Sequence, residues 1–166
     1  LPLKHKLVLT LVSLSVLLNN GFFMMNEETL AYVEKDGSWL DARVVSRDEG
    51  TATLEALESK ETFMVPADQV LLANVLAEDG VEDMTKLNYL HEPALLANLR
   101  QRFSRDHVYT YTGKICIAVN PFNWQVSKPL YEESVLVKYR GREMGDVAPH
   151  VYAVAEDAYQ KIAGSG

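Results

Sequence analysis

Cysteine is almost absent from this sequence of 166 residues, in which Cys116 is the only one. A single cysteine cannot form a disulfide within its own chain, so the sequence is not that of a small secreted domain held together by disulfides. Cys116 lies in the apolar run from Ile115 to Val119, where a thiol is typically an inert packing group rather than a nucleophile. These features indicate a protein of a reducing compartment.

Basic residues are scarce where acidic ones are common. Residues 26–84 contain fifteen acidic and four basic side chains, and the whole chain has a net charge of −7. Proteins that bind nucleic acid usually present a cluster of lysine and arginine to the phosphates. The absence of a basic tract therefore argues against nucleic acid as a partner, and the acidic excess is most simply a solvated surface.

No mostly apolar run is long enough to cross a membrane as a helix, which takes about 20 residues. The longest such run, Leu7 to Leu18, follows Lys4-His5-Lys6 and resembles the beginning of a secretory signal. We interpret residues 1–25 as an apolar leader or as upstream sequence read in frame, with a start at Met24 or Met25. An exported or membrane-anchored protein and a genuine helix of the fold are the alternatives, and we expect no membrane partner.

A phosphate-binding loop is also missing. Its pattern is G-x-x-x-x-G-K-[ST], in which backbone N–H groups and a lysine hold the phosphates of a nucleotide. Gly113-Lys114 is the nearest fragment, but Val108 stands in place of the first glycine and Ile115 in place of the hydroxyl residue. The closing stretch 163–166 reads as a loose tail. We therefore assign no catalytic residue and no metal ligand, and expect no ATP hydrolysis from these residues alone.

Short apolar segments separated by turn residues occupy residues 28–75, and they predict a small β-barrel. Asp36-Gly37 is a strong hairpin signal between the first two of them. Trp39 could bind a proline-rich peptide, although a position in the core or at the rim of the barrel is the interpretation we favour. The predicted strands cover residues 31–33, 39–45, 51–55, 62–65 and 70–72.

Helical patterns follow an acidic connection, residues 77–83, which is a candidate domain boundary. Leucines at helical spacing between Leu87 and Phe103 predict a helix with one apolar face and with Pro93 in its first turn. The arginines of that helix are expected on its solvated side, with a phosphate-binding patch as the alternative. They are Arg100, Arg102 and Arg105.

Two further helices are predicted near the end of the sequence. One covers residues 131–140, with Val135, Leu136 and Tyr139 on one face and Gly141 at its end. The other covers residues 149–162. Its apolar stripe is expected to comprise Val151, Val154, Ala155, Ala158 and Ile162. His150 could be proposed as a general base, but a histidine in the first turn of such a helix is usually a packing or hydrogen-bonding residue.

Between the helical patterns lies a pair of apolar segments, Val108–Thr112 and Ile115–Val119, which predicts a hairpin buried on both faces. Asn120-Pro121 ends the second strand, because proline has no N–H for a ladder and restricts the residue before it. An aromatic-rich loop follows. This corner is the best candidate for a ligand-facing site.

Several of these segments resemble the beginning of the myosin motor domain. The matching segments are Leu87–Leu99, Arg102–Ser104, Val108–Gly113, Ala118–Phe122, Tyr131, Tyr139–Gly141, Ala148–Val151 and Ala158-Tyr159. Their order and spacing hold over about residues 84–162, with one insertion within 123–130. The module at 28–75 is similar to the SH3-like barrel that precedes the motor in many myosins.

The resemblance implies a mixed α and β fold, in which a small SH3-like barrel precedes the first helices and strands of a P-loop-type α/β motor domain. Residues 84–166 are then an N-terminal, incomplete portion of that domain, ending before its phosphate-binding loop. In myosins an Asn-Pro turn and a downstream tyrosine form the pocket for the purine ring of ATP. The corresponding residues are Asn120, Pro121 and Tyr131.

The resemblance also implies what the intact parent does. It would be an actin-based motor of the cytoplasm and cytoskeleton, with ATP and magnesium as its nucleotide and ion, and with actin filaments and light chains as its partners. The present chain would carry only the purine-pocket part and be inactive alone. The alternative is a non-catalytic interaction module that uses the SH3-like barrel to bind a protein ligand.

Overall fold

The computed structural model describes residues 29–164, so the interpretation of residues 1–25 and the last two residues of the predicted tail lie outside the described part. Along these described residues, seven strands and four α-helices follow one another. The strands are β1 Leu30–Lys35, β2 Ser38–Arg47, β3 Thr51–Ala56, β4 Thr62–Pro66, β5 Leu71–Leu72, β6 Tyr109–Thr112 and β7 Ile115–Ala118. The helices are α1 Glu92–Phe103, α2 Trp124–Leu130, α3 Glu133–Tyr139 and α4 Val151–Ala163, with short 3-10 turns at Ala67–Gln69 and Met84–Lys86.

The first five strands form one antiparallel sheet in the order β4-β3-β2-β1-β5, which confirms the predicted strands. β4 and β5 are the two edges, and in a flat sheet they would lie roughly 19 Å apart. The connection from Pro66 to Leu71 contains a 3-10 turn and spans only roughly 13 Å. The sheet must therefore curl, as in an SH3-like barrel.

Alternation along the strands builds the core of the barrel. On β2, Ala42 and Val44 are buried, while Asp41 and Arg43, which alternate with them, are exposed, as expected for a strand with one covered face. Asp36 (φ 54°) and Gly37 (φ 75°) form the turn between β1 and β2 with two positive φ angles, as a two-residue type I′ hairpin requires. The buried core consists of Ala31, Val33, Ala42, Val44, Ala52, Leu54 and Val70.

Helix α1 begins at Glu92, with Pro93 in its first turn as predicted, but it buries a different face from the one predicted. The leucine stripe was expected inside, yet Leu96 and Phe103 are exposed. Apart from Pro93 in the first turn, the buried positions are Ala94, Asn98 and Arg102, which recur every four residues on one side of the helix. The placement of Arg102 on the solvated side was therefore wrong.

Asn98 and Arg102 are buried because they hold the acidic connection 77–83 against α1. The Asn98 amide accepts from the Val81 N–H (2.8 Å) and donates to the Val81 carbonyl (3.0 Å). The Arg102 guanidinium donates to the Asp79 carbonyl (3.3 Å). Gly80 between them has φ +67°, and a Cβ there would lie 2.8 Å from side-chain atoms of both residues. The connection is thus docked on α1 along its length.

Strands β6 and β7 form the predicted hairpin, with Thr112 opposite Ile115 and a two-residue turn at Gly113-Lys114. Gly113 has φ +60°, the glycine-first pattern of a type II′ turn. The Asp83 carboxylate accepts from the Gly113 N–H (3.0 Å) and fixes the turn to the preceding segment.

Only β6 is buried on both faces. Thr110 faces α1, where its hydroxyl accepts from Arg102 Nε (2.9 Å), and Tyr111 on the other face packs with Tyr139. β7 is the outer strand, with Ile115 exposed and Cys116 half-buried. The prediction of burial on both faces was therefore wrong for β7, in which Ile115 and Ala118 are exposed.

The last three helices differ from the predictions in their extents and contacts. Trp124–Leu130 was expected to be a loop but forms α2, capped by the Asn123 side chain, which accepts from the Gln125 N–H (3.0 Å). α3 begins two residues later than expected and buries Tyr139. α4 buries Ala153, whereas Val154 and Ile162 of the predicted stripe are exposed. Within residues 29–164, no helix has both the length and the apolar character needed to span a bilayer.

Candidate functional site

The open end of the β6–β7 hairpin carries the candidate corner. The last backbone bond of the pair runs from the Val119 N–H to the Val108 carbonyl (2.9 Å), directly before Asn120. The Asn120 side-chain oxygen accepts from the Phe122 N–H (2.9 Å) and closes the turn around Pro121. With its oxygen used in the turn, the exposed Asn120 side chain can offer its NH₂ group as a donor to a ligand.

Tyr131 lies between α2 and α3 and is half-exposed. Its hydroxyl lies 2.7 Å from the hydroxyl of Tyr109, and its carbonyl accepts from the Tyr152 hydroxyl (3.0 Å). Tyr109 pairs with Ala118, two residues before Asn120. The hydroxyl pair therefore brings Tyr131 to the same end of the hairpin as the Asn-Pro turn.

His150 lies behind Tyr131 in a group of aromatic rings. Its ring stacks on Tyr139 (5.0 Å between centroids, 28° between planes) and lies 4.8 Å from Tyr109, 4.6 Å from Tyr152 and 6.0 Å from Tyr131. We call these five residues the tyrosine cluster. His150 is buried, and its Nδ1 accepts from the Tyr152 N–H (3.1 Å) as the cap of α4. The structural interpretation of His150 is thus confirmed.

Burial governs the titration of this region. It lowers the pKa of His150, although the nearby Leu130 carbonyl favours the charged form, and it raises the pKa of Tyr111 to about 12. Burial, followed by the hydrogen bond to Tyr131, also raises the pKa of Tyr109. Burial raises the pKa of the Cys116 thiol. All four groups therefore favour their neutral forms near neutral pH, so none of them is poised as a charged catalyst.

Asp83 is the carboxylate that bonds to the hairpin turn. It accepts from the N–H groups of Gly113 and Thr85 and from the Thr85 hydroxyl. These bonds, the one to Gly113 first, lower its pKa. Within residues 29–164 no three histidine, cysteine, aspartate or glutamate side chains are grouped so that they could hold a metal ion.

A separate groove of about 410 Å³ runs between the barrel and α1. Its walls include Ala31 and Ala42 of the barrel and Ala97 of α1, and the ion pair between Asp41 and Arg100 (3.6 Å) lies beside them. None of the residues lining the groove belongs to the Asn-Pro corner or the tyrosine cluster. Trp39, the residue considered for peptide binding, is half-buried on β2, as the favoured interpretation expected.

The sequence pointed to the Asn-Pro corner and Tyr131 as candidate site residues, but not to the residues that hold them in place. Tyr109 and Tyr152 were treated only as strand and helix residues, and Arg102 was placed in solvent. A usable signal existed for Tyr109, because it alternates with Tyr111 on a strand and both must face the same side. No such signal exists for Arg102, whose partners are two backbone carbonyls and one hydroxyl.

Comparison with known proteins gives two findings. The family described as myosin head (motor domain) matches residues 81–166. The Myosin-J heavy chain of Dictyostelium discoideum is 39% identical over 131 residues, which cover 78% of this chain and 6% of that protein. The chain therefore spans a small fraction of the length of this curated relative.

Proposed function

This chain belongs to the myosin motor-domain family, and from that premise we propose that it supplies the base-binding corner of an ATP-driven, actin-based motor. In this proposal Asn120, Pro121 and Tyr131 contact the purine ring of ATP. The longer protein would bind ATP with magnesium, move on actin filaments in the cytoplasm and carry light chains. The barrel and α1 would form the base on which this corner is built.

One observation carries the proposal. The hairpin that ends in Asn120-Pro121 also holds Tyr131 through Tyr109, at 2.7 Å between the two hydroxyls. An amide that retains a free donor can hydrogen-bond a ring nitrogen of a purine, while a proline and a tyrosine ring can cover its faces. The seven-residue helix α2 occupies the segment in which the sequence suggested an insertion, and it delivers Tyr131 at its end.

The test is equilibrium binding of MgATP and MgCTP to the 166-residue protein, compared with Asn120→Ala. We expect weak binding with a preference for the purine nucleotide, and loss of that preference in the variant. Asn88→Ala, which changes another exposed asparagine, is the matched control and should bind as the unaltered protein does. Equal binding of both nucleotides by the unaltered protein, or of MgATP by Asn120→Ala, would contradict the proposal.

We also propose that these residues do not turn over ATP by themselves, because the sequence contains no phosphate-binding pattern. Phosphate release is the measurement. Magnesium-dependent release that disappears in Asn120→Ala would refute this part of the proposal, since it would place a complete catalytic site within the chain.

A further inference from the structure

Helix α2 places the backbone of Tyr131 but does not orient its ring. Tyr131 follows α2, a short helix that contains Pro129, and precedes α3, which begins at Glu133. Its side chain is half-exposed, and its hydrogen bond and ring contacts are with Tyr109, His150 and Tyr152 rather than with α2. A residue that must cover one face of a bound base needs a fixed position, because a ring that moves between rotamers loses binding energy to ordering. The fixing contacts must therefore come from elsewhere in the fold.

Tyr109 supplies a fixed point. It is buried, its carbonyl accepts from the Arg102 guanidinium (3.0 Å), and its backbone pairs with Ala118 across the hairpin. Its ring lies 4.8 Å from that of His150. Within residues 29–164 the only hydrogen-bond partner of its hydroxyl is the hydroxyl of Tyr131. Since a buried hydroxyl without a partner is costly, this pair is strongly favoured.

We propose that Tyr109 is a positioning residue, which holds the Tyr131 ring as a wall of the base pocket through the pair of hydroxyls. This inference rests on the proposed nucleotide function and adds a specific requirement to it. The same strand pair then fixes both sides of the pocket, because Asn120-Pro121 follows β7 directly and Tyr131 is held by β6. The Tyr152 hydroxyl donates to the Tyr131 carbonyl and fixes the backbone. The rings of Tyr152 and His150 contact the Tyr131 ring at 6.4 and 6.0 Å between centroids, and the hydroxyl pair adds a directional hydrogen bond to these contacts.

The test is a double-mutant cycle on MgATP affinity in the 166-residue protein, with Tyr109→Phe, Tyr131→Phe and the double variant. Either single change removes the hydroxyl pair and keeps the ring, so each should weaken MgATP binding about fivefold. The double variant should bind no more weakly than either single variant, because the two hydroxyls act as one contact. The inference is overturned if the double variant loses MgATP affinity by the product of the two single losses. It is also overturned if Tyr109→Phe binds MgATP within twofold of the unaltered protein.

Tyr111→Phe is the matched control. Tyr111 lies on the same strand and face as Tyr109 and is equally buried, but its hydroxyl donates to the Ala148 carbonyl (3.3 Å) rather than to Tyr131. Loss of the Tyr111 hydroxyl should leave the MgATP affinity within twofold of that of the unaltered protein. A loss as large as that of Tyr109→Phe would mean that any damaged hydroxyl on β6 weakens binding, which would also overturn the inference.

Asn120→Ala separates this inference from the function on which it rests. If Asn120→Ala weakens MgATP binding and Tyr109→Phe does not, the nucleotide site stands and the positioning role fails. If the unaltered protein and Asn120→Ala bind MgATP equally, or neither binds it, the proposed function fails and the positioning role fails with it.

Discussion

At the scale of single residues, two polar side chains occupy the buried face of α1, where the sequence predicted leucines. Asn98 and Arg102 are buried and bind backbone groups of residues 79–81 and 109. Burial lowers the pKa of Arg102 from its very high ordinary value, while Glu82 and Asp79 oppose the effect. A buried guanidinium with this many acceptors acts as a structural tie between three segments.

Arg102→Met should lower the free energy of unfolding by about 3 kcal/mol, because the buried Tyr109 carbonyl and Thr110 hydroxyl would lose their donors. Arg100→Met is the matched control two residues away. The Arg100 side chain is 78% exposed and its ion pair with Asp41 is 3.6 Å long, so its loss should cost about 0.5 kcal/mol or less. Urea denaturation followed by far-UV circular dichroism measures both. Similar costs for the two variants would contradict the structural role of Arg102.

Gly80→Ala tests the close approach of the acidic connection to α1. The substitution combines a positive φ with a Cβ 2.8 Å from Arg102 Cγ and Asn98 Oδ1, and it should cost about 3 kcal/mol. Gly37 also has a positive φ (+75°), but a Cβ added there has nothing within 4 Å. Gly37→Ala should therefore lower the free energy of unfolding by only about 1 kcal/mol. The difference between the two free energies of unfolding measures the packing against α1. Equal costs would show that the connection is not held there.

At the scale of elements, the strands were largely predictable from the sequence and the buried faces of the helices were not. Strands can be recognised from runs of β-branched residues and from turn residues such as Asp36-Gly37, because both signals depend on local backbone geometry. The buried side of α1 is determined by the tertiary partners of Asn98 and Arg102. The spacing of the leucines contains no information about those partners. Helix α2 was missed because its segment was interpreted as a loop that follows the Asn-Pro turn, although Pro129 is only the sixth of its seven residues.

The same limit applies to the candidate site. The Asn-Pro corner is visible in the sequence because proline ends a strand wherever it occurs. The tyrosine cluster is not visible, because it brings together residues from β6, α3, α4 and the α2–α3 junction that are up to 43 positions apart. Only the fold shows that His150, a cap of α4, lies against Tyr109.

His150, at the start of α4, should make the free energy of unfolding depend on pH. Burial lowers the pKa of His150, so between that value and the ordinary value of about 6.5 the unfolded chain binds a proton that the folded chain does not. Stability should therefore fall as the pH drops below about 6.5, by up to about 1.4 kcal/mol per pH unit from this group. Above that range His150 is neutral in both states and contributes no pH dependence.

His150→Asn is the comparison, because asparagine can still cap the helix but does not titrate. The free energy of unfolding measured between pH 5 and 7 should change less steeply in the variant than in the unaltered protein. The variant will be less stable throughout, because it loses the ring contacts of the tyrosine cluster. Parallel pH profiles would show that His150 is not responsible for the slope.

At the scale of the whole molecule, the barrel and the helical part are joined by specific contacts. His91 Nε2 donates to the Leu72 carbonyl (2.9 Å), and the Asn74 side chain exchanges two hydrogen bonds with the backbone of Tyr89 (2.8 and 2.9 Å). These contacts connect the last strand of the barrel with the start of α1. Together with the bonds from Arg102 to Tyr109 and Thr110, they connect the barrel to the hairpin through α1.

We expect the two parts to unfold together. Trp124 on α2 is the other tryptophan, so the measurement uses a Trp124→Phe background, in which Trp39 fluorescence reports the barrel. Ellipticity at 222 nm reports mainly the helices, and the two urea transitions should coincide. Asn74→Ala removes one of the joining contacts and should shift both transitions by the same amount. Two separated transitions would show that the barrel folds independently of α1.

We propose that the corner formed by Asn120, Pro121 and Tyr131 binds the base of a purine nucleotide. Photolabelling of the 166-residue protein with an azidopurine analogue of ATP, followed by peptide mapping, is the decisive experiment for this binding site. We expect the label to fall within residues 119–132, and we expect excess MgATP to prevent labelling while MgCTP does not. Labelling elsewhere, such as in the groove between the barrel and α1, or labelling that MgATP does not reduce, would contradict it.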